Sequence, residues 1–250
     1  MNFNEINFAV DGDSITQGDQ WSYHVSKILG TASHYNVGVG SSIWYKRTIN
    51  VNGTGITTQD YDSPDFAGIS GGWEPTDDVH ELQMRMNNCA VVHIQRYLSD
   101  VKKGLAPKPD VFAFAFGTND CEDYLGDIDT TFLNKGLDEV NLFCEAGAIR
   151  WCLQTISENF PDCRVFVLTP IQAADPRHNR KNRKIIENIK TVCSEMSVQV
   201  IDMYSNCGIC EKFEVIGGEG RYLRDGLHPK ENGQALMGAY AAMEIRNRLF

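Results

Sequence analysis

The feature that most constrains this chain is the alternation of short apolar runs with longer amphipathic stretches. Five runs stand out: Ile6–Val10, a weaker one at Tyr35–Val39, Val111–Phe116, Arg164–Leu168 and Val198–Ile201. VFAFAF and RVFVL are almost continuously apolar, as strands covered on both faces must be. Between the runs, Trp21, Val25, Ile28 and Leu29 recur on one helical face, and further helical patterns cover about 79–101, 133–156 and 183–196. A last helix is expected from Pro229, where proline suits a first turn, through Ala235, Met237, Tyr240, Met243 and Leu249. Strand–helix alternation repeated five times predicts an α/β fold, a parallel sheet with helices on both sides.

At 42% hydrophobic and 22% charged, the 250 residues carry enough apolar material for a sizeable core. No linker or repeat divides them, so one domain over 1–250 is expected. The stretch from about 41 to 78 is the exception: rich in Gly, Thr and Asp, with Trp44, Tyr45, Tyr61, Phe66 and Trp73 interspersed. A long aperiodic stretch in a compact domain reads as an insertion or lid.

Asp and Glu outnumber Lys and Arg 33 to 23, a net charge of −10, which argues against a generally basic, nucleic-acid-binding surface. No apolar run approaches the roughly 20 residues of a membrane span. The first residues lack the pattern of a signal peptide, so a cytoplasmic protein and a secreted or periplasmic one with its leader removed both stay open. Eight cysteines are too dilute for a disulfide-built scaffold. Cys207 and Cys210 form the single CxxC, without the second ligand pair of a zinc site or the helix opening of a redox motif. Incidental thiols or a local disulfide fit them better.

Open α/β sheets bind ligands beyond the carboxyl ends of their strands, so the residues just after each run carry the chemistry. The first run leads into Gly12-Asp13-Ser14, the second into Asn36-Val37-Gly38-Val39-Gly40-Ser41, and the third into Gly117-Thr118-Asn119-Asp120. Asp225-Gly226-Leu227-His228-Pro229 stands before the last helix. A serine nucleophile needs a base within hydrogen-bond reach, and His228 qualifies, with Asp225 three residues earlier to fix its tautomer.

In these blocks the sequence resembles the SGNH (GDSL-type) hydrolases. Gly12-Asp13-Ser14 is similar to the family's first block, Gly117-x-Asn119-Asp120 to its third and Asp225-x-x-His228-Pro229 to its fifth, in family order from residue 12 to 229. The resemblance implies a three-layer α/β/α sandwich on a five-stranded parallel, flavodoxin-like sheet. It also implies ester hydrolysis through an acyl-enzyme on Ser14, with catalytic residues Ser14, Asp225 and His228 and no metal or organic cofactor. It assigns the oxyanion hole to the Ser14 N–H, a second-block N–H and the Asn119 amide. The second block departs from the pattern: the family's glycine maps to Ser41, with Gly40 one residue short. Ser41 N–H serves unless the turn demands positive φ; a turn shifted by one would use Gly40.

Each residue has a plainer reading. Ser14 alone suits a helix N-cap, Asn119 a turn, and Asp225 with His228 a helix start. Asp13 and Asp120 are expected to orient loops. His24, His80 and His93 fall on predicted helices as surface or satisfied side chains, and Trp21 belongs to the core. Arg177 and His178, in the loop after the fourth strand, are candidate substrate contacts, and Trp44 and Tyr45 a candidate aromatic wall. Gly68-Ile69-Ser70-Gly71-Gly72 matches a nucleophile elbow literally but lacks the flanking strand and helix.

The substrate is expected to be a short-chain or carbohydrate O-acetyl ester, because aromatics diluted by polar groups suit a sugar better than an acyl chain. A lipase, lysophospholipase or thioesterase on the same residues, acyl transfer, and a non-catalytic carbohydrate-binding module are the alternatives. A small-molecule or glycan partner is expected, with no nucleic acid and no stable membrane anchor.

Overall fold

The apolar runs form strands because nearly every side chain in them has a buried face to occupy. A computed structural model describes residues 2–18, 20–51, 54–57, 78–129 and 132–249. In chain order the strands are β1 (Asn7–Gly12), β2 (Ser33–Asn36), β3 (Thr48–Val51), β4 (Thr54–Thr57), β5 (Val111–Ala115), β6 (Arg164–Leu168) and β7 (Gln199–Ile201). Five of them make an all-parallel sheet in the order β2-β1-β5-β6-β7, while β3 and β4 pair antiparallel as a separate hairpin. The helices are α1 (Ser14–Gln17), α2 (Gln20–Leu29), α3 (Val79–Met86), α4 (Ala90–Lys102), α5 (Glu145–Asn159), α6 (Pro176–Glu195), α7 (Met203–Asn206) and α8 (Glu231–Arg248).

Strand side chains alternate between two helical layers. Phe8, Val10, Val111, Ala113, Phe166 and Leu168 pack with Trp21, Val25 and Leu29 of α2 and Met237, Ala241 and Ile245 of α8. Ala9, Phe112, Phe114 and Val167 face the other way, onto Ile94 and Tyr97 of α4, Ile149 and Leu153 of α5, and Ile185 and Ile189 of α6. This is the three-layer α/β/α sandwich on five parallel strands expected from the sequence.

The strand order positions the site. From β1 the chain turns to α2 on one face, and from β5 it proceeds to α5 on the other. The loops after these neighbouring strands therefore diverge, which opens a crevice at the switch point. Ser14 comes after β1 there, and Asn119 after β5. Gly12 allows the two strands to close up: a Cβ on it would lie 2.6 Å from the Ala115 carbonyl oxygen.

Several sequence-based boundaries shift. The helical pattern of 79–101 divides at Asn87–Cys89 into α3 and α4. The pattern of 133–156 becomes α-helix from Glu145 on; before it only a short 3-10 turn, Leu137–Glu139, forms among the described residues, and the carbonyls of Phe132, Leu133 and Lys135 are drawn to the buried Arg150 guanidinium. α6 begins earlier than expected, at Pro176, because Asp175 caps it by accepting from Arg177 N–H. The stretch read as an irregular insertion contains the β3–β4 hairpin, whose Ile56 packs on Leu82 and Met86. Tyr61, Phe66, Trp73 and the Gly68–Gly72 motif lie outside the described residues.

Candidate active site

Ser14 sits in the first turn of α1, directly after β1. Asp13 caps that turn, its carboxylate accepting from Ile15 N–H at 2.9 Å. Ser14 Oγ lies 2.9 Å from His228 Nε2, 214 residues away in the chain. On the other side of the ring, His228 Nδ1 is 2.8 Å from Asp225 Oδ2. Asp225 Oδ1 accepts from the backbone N–H of Leu227 at 3.0 Å and of His228 at 2.8 Å, and Arg224 N–H donates to the His228 carbonyl. These bonds close a tight turn with Gly226 at φ +82°, where a Cβ would meet the Val215 carbonyl at 2.5 Å. Ala174 N–H donates to the Gly226 carbonyl at 2.7 Å and ties the turn to the loop after β6. Partial burial would raise the Asp225 pKa, but the bonds from His228 and Leu227 outweigh it and hold the carboxyl below its usual range.

The loop after β2 runs beside α1. Val39 N–H donates to the Gly12 carbonyl and Gly40 N–H to Gln17 Oε1 at 2.8 Å. Ser41 adopts φ +65°, the left-handed conformation that favours glycine. The turn at the second block does take positive φ, and serine occupies it. Asn119 Nδ2 donates to the Ser42 carbonyl at 3.1 Å, so the third block touches the second. Asp120 is buried and accepts from Trp44 N–H at 2.9 Å, while Lys181 Nζ donates to the Thr118 and Asp120 carbonyls at 2.6 and 2.8 Å.

Beneath this surface lies a buried polar layer. Burial pushes the Asp13 carboxyl up to about 7, partly offset by its bond from Ile15 N–H. Burial likewise raises Asp120 and Glu145, and lowers the Lys181 ammonium against the pull of Asp120. His178 meets the Thr118 backbone; burial, then Lys181, depress it to about 4. Its Nε2 is buried without a partner among the described residues. Arg177 is exposed and paired with Asp175 at 2.9 Å.

The aromatic wall expected of Trp44 and Tyr45 is corrected. Trp44 is fully buried, its ring 5.4 Å from that of Phe114 and 4.9 Å from that of Phe116. Tyr45 is also buried, stacked on Tyr124, its hydroxyl accepting from Cys121 N–H. Both are consumed by the core and by the loop after β5. Cys207 is buried and Cys210 partly so, and both are free thiols.

Sequence reading did not single out Asp11, Gln17, Asn88 or Lys181, and treated His93 as incidental. Two signals were available. Asp11 follows an otherwise apolar run in β1 and must find a partner, and Asn87-Asn88 interrupts a helical pattern with residues that favour turns.

A model of the GDSL-like lipase/acylhydrolase family matches residues 11–236. No curated protein matches the chain. Solved structures share its fold over nearly their whole length. A Lactobacillus plantarum protein aligns with TM-score 0.61 at 14% identity, covering 98% of each chain. A structure described as a "possible lipase" from Chitinophaga pinensis gives 0.57 at 14% identity, covering 97% of this chain and 98% of that one. The lipase/acylhydrolase from Enterococcus faecalis gives 0.53 at 17%, covering 97% of each.

Proposed function

The chain belongs to the GDSL-like lipase/acylhydrolase family, and on that premise we propose that it is a serine esterase working through an acyl-enzyme on Ser14. The observation that carries this reading is the contiguous array Ser14 Oγ, His228 and Asp225, with 2.9 and 2.8 Å between successive partners. His228 Nε2 takes the Ser14 proton as Oγ bonds to the ester carbonyl carbon. The tetrahedral intermediate collapses by breaking the carbon–alkoxide bond, and His228 returns the proton to the departing alcohol. Water then repeats the sequence, releasing the acid and free Ser14. Asp225, held as a carboxylate, keeps the Nδ1 proton in place and offsets the charge on the ring.

The oxyanion is assigned to the Ser14 N–H, the Asn119 amide and the Ser41 N–H. Ser41 is preferred over Gly40 because Ser41 takes the positive φ at the position to which the family's glycine maps. For the substrate we assign a short-chain ester or a carbohydrate O-acetyl ester. Support comes from the open setting of the acid–base pair, since the side chains of Asp225 and His228 are 45% and 25% exposed. Burial of Trp44 and Tyr45 removes the aromatic contribution those residues would have made. Arg177 and His178, in the first turn of α6, are kept as proposed substrate contacts.

Ser14→Ala is expected to abolish hydrolysis of nitrophenyl acetate, and a fluorophosphonate is expected to label Ser14. Retained activity in Ser14→Ala would overturn the assignment. Acetylated oligosaccharides compared with nitrophenyl esters of increasing chain length test the substrate class; preference for long chains would refute it.

A further inference from the structure

A second Asp–His pair lies in the core of the fold. Asp11 of β1 and His93 of α4 are both fully buried, with His93 Nδ1 2.8 Å from Asp11 Oδ1. Such a pair is costly to bury unless its partners are well placed. Its other partners lead in one direction. His93 Nε2 is 3.1 Å from Asn88 Oδ1, and Asn88 Nδ2 donates to the Gly40 carbonyl. The Ser42 hydroxyl meets the same Asn88 oxygen at 2.6 Å. The array therefore starts inside the sheet and ends on the loop after β2.

Peptide geometry gives this array a consequence at the loop. In a trans peptide the C=O and N–H point in opposite directions, and the described chain has no cis bonds. Asn88 draws the Gly40 carbonyl toward the core, so the N–H of the same peptide, that of Ser41, is aimed away from the core. Ser41 holds a left-handed backbone conformation that a residue with a Cβ adopts reluctantly, so the peptide needs an anchor. The amide of Asn88 has one workable orientation, since reversing it would set its oxygen against the Gly40 oxygen. Both ring nitrogens of His93 then face oxygens, Asp11 on one side and Asn88 on the other.

We propose that Asn88, His93 and Asp11 are positioning residues: by fixing the Gly40 carbonyl they hold the Ser41 N–H in the orientation that stabilises the oxyanion. The inference rests on the proposed esterase activity and extends it to residues that never touch substrate. It accounts for the break at Asn87–Cys89, which brings the Asn88 amide to the loop.

The test is Asn88→Asp, which keeps the shape but replaces the donor by an oxygen facing the Gly40 carbonyl. Losing one oxyanion donor predicts a fall in kcat of about 10²–10³, with KM within about twofold. Affinity for a boronic acid, whose tetrahedral adduct on Ser14 places an oxygen in the hole, should fall by a similar factor. A merely structural residue would lower the melting temperature without splitting kcat from KM. Folded Asn88→Asp with kcat within threefold of wild type overturns the proposal. If that variant does not fold, Asn88→Ser replaces it with the same expectation; failure of both to fold also overturns it, because a positioning role presupposes a scaffold that survives. Ser14→Ala is assayed in parallel. If Ser14→Ala is inactive and Asn88→Asp behaves as wild type, only the positioning role falls; if Ser14→Ala is active, the esterase reading falls and takes this inference with it.

Discussion

Asp225 grips His228 at two points: Oδ2 lies 2.8 Å from the ring Nδ1 and Oδ1 accepts the His228 backbone N–H at 2.8 Å. One carboxylate thus sets both the tautomer of the ring and the turn that carries it. In Asp225→Asn the amide oxygen still accepts the backbone N–H groups, but the NH₂ then faces Nδ1 and forces the proton onto Nε2, where it opposes Ser14. The expected result is a loss of about 10³–10⁴ in kcat. Because the side chain is 45% exposed, the melting temperature should barely move. Steady-state kinetics beside a thermal melt would check both halves; an active variant would show that Asp225 only shapes the turn.

In the proposed reaction Ser41 contributes through its backbone. Ser41→Gly keeps the N–H and relaxes the positive φ, so kcat should stay within about threefold and stability should not drop by more than a few tenths of a kcal/mol. Ser41→Val keeps the same N–H but forces a β-branched residue into the left-handed region, and should lose both stability and kcat. Equal behaviour of the two variants would contradict this account.

Trp44 belongs to the core. Trp44→Ala removes a fully buried ring packed on Phe114 and Phe116 and should cost about 3–5 kcal/mol by chemical denaturation. The KM for small esters should be unchanged. A large KM effect in a stable variant would restore the ring to the substrate.

Two buried groups pull stability in opposite directions with pH. Asp13 titrates near 7 in the folded state against 3.8 for the free group, so between about pH 4 and 7 the folded protein holds a proton that the unfolded chain has released. Stability contributed by Asp13 therefore falls as pH rises through that window, by up to about 4 kcal/mol in total. His178, depressed to about 4 from 6.5, does the reverse: the unfolded chain binds the extra proton, so stability rises from about pH 4 to 6.5. Asp13→Asn preserves the cap on Ile15, and its melting temperature relative to wild type should climb steadily from pH 4 to 7. His178→Gln should instead gain relative to wild type as pH falls below 6.5. Parallel curves for all three proteins would contradict both shifts.

The parts of this fold that could be read in the sequence are those set by local pattern. Phe112 and Phe114 on one side and Val111 and Ala113 on the other make a run with no polar gap, and such a run fits a strand covered twice. Trp21, Val25 and Leu29 announce α2 by their spacing. The candidate site residues stood out as short blocks at strand ends. The features that stayed hidden depend on contacts that spacing does not record. The ends of the Asp11–His93 bond are 82 residues apart, and Trp44 goes to the core because Phe114 and Phe116 leave room for it. Residues 133–144 have the apolar content of a helix, yet the Phe132, Leu133 and Lys135 carbonyls go to Arg150 instead of a helical ladder.

The bond from Gln17 to Gly40 has a mechanical meaning. Gln17 closes the single turn that Ser14 opens, so Ser14 and the 39–41 loop are tied together. The turn at 224–228 meets Ser14 through the His228 bond, is moored to the loop after β6, and leads into α8, whose Gln234 accepts from Trp21 N–H. Motion of the 224–228 turn relative to Ser14 would change the His228–Ser14 distance, while the spacing between Ser14 and the 39–41 loop stays constant. On the proposed mechanism, a substitution that loosens the 224–228 turn, such as one at Gly226, would slow proton transfer and leave oxyanion binding intact, a division of labour between two loops of the site.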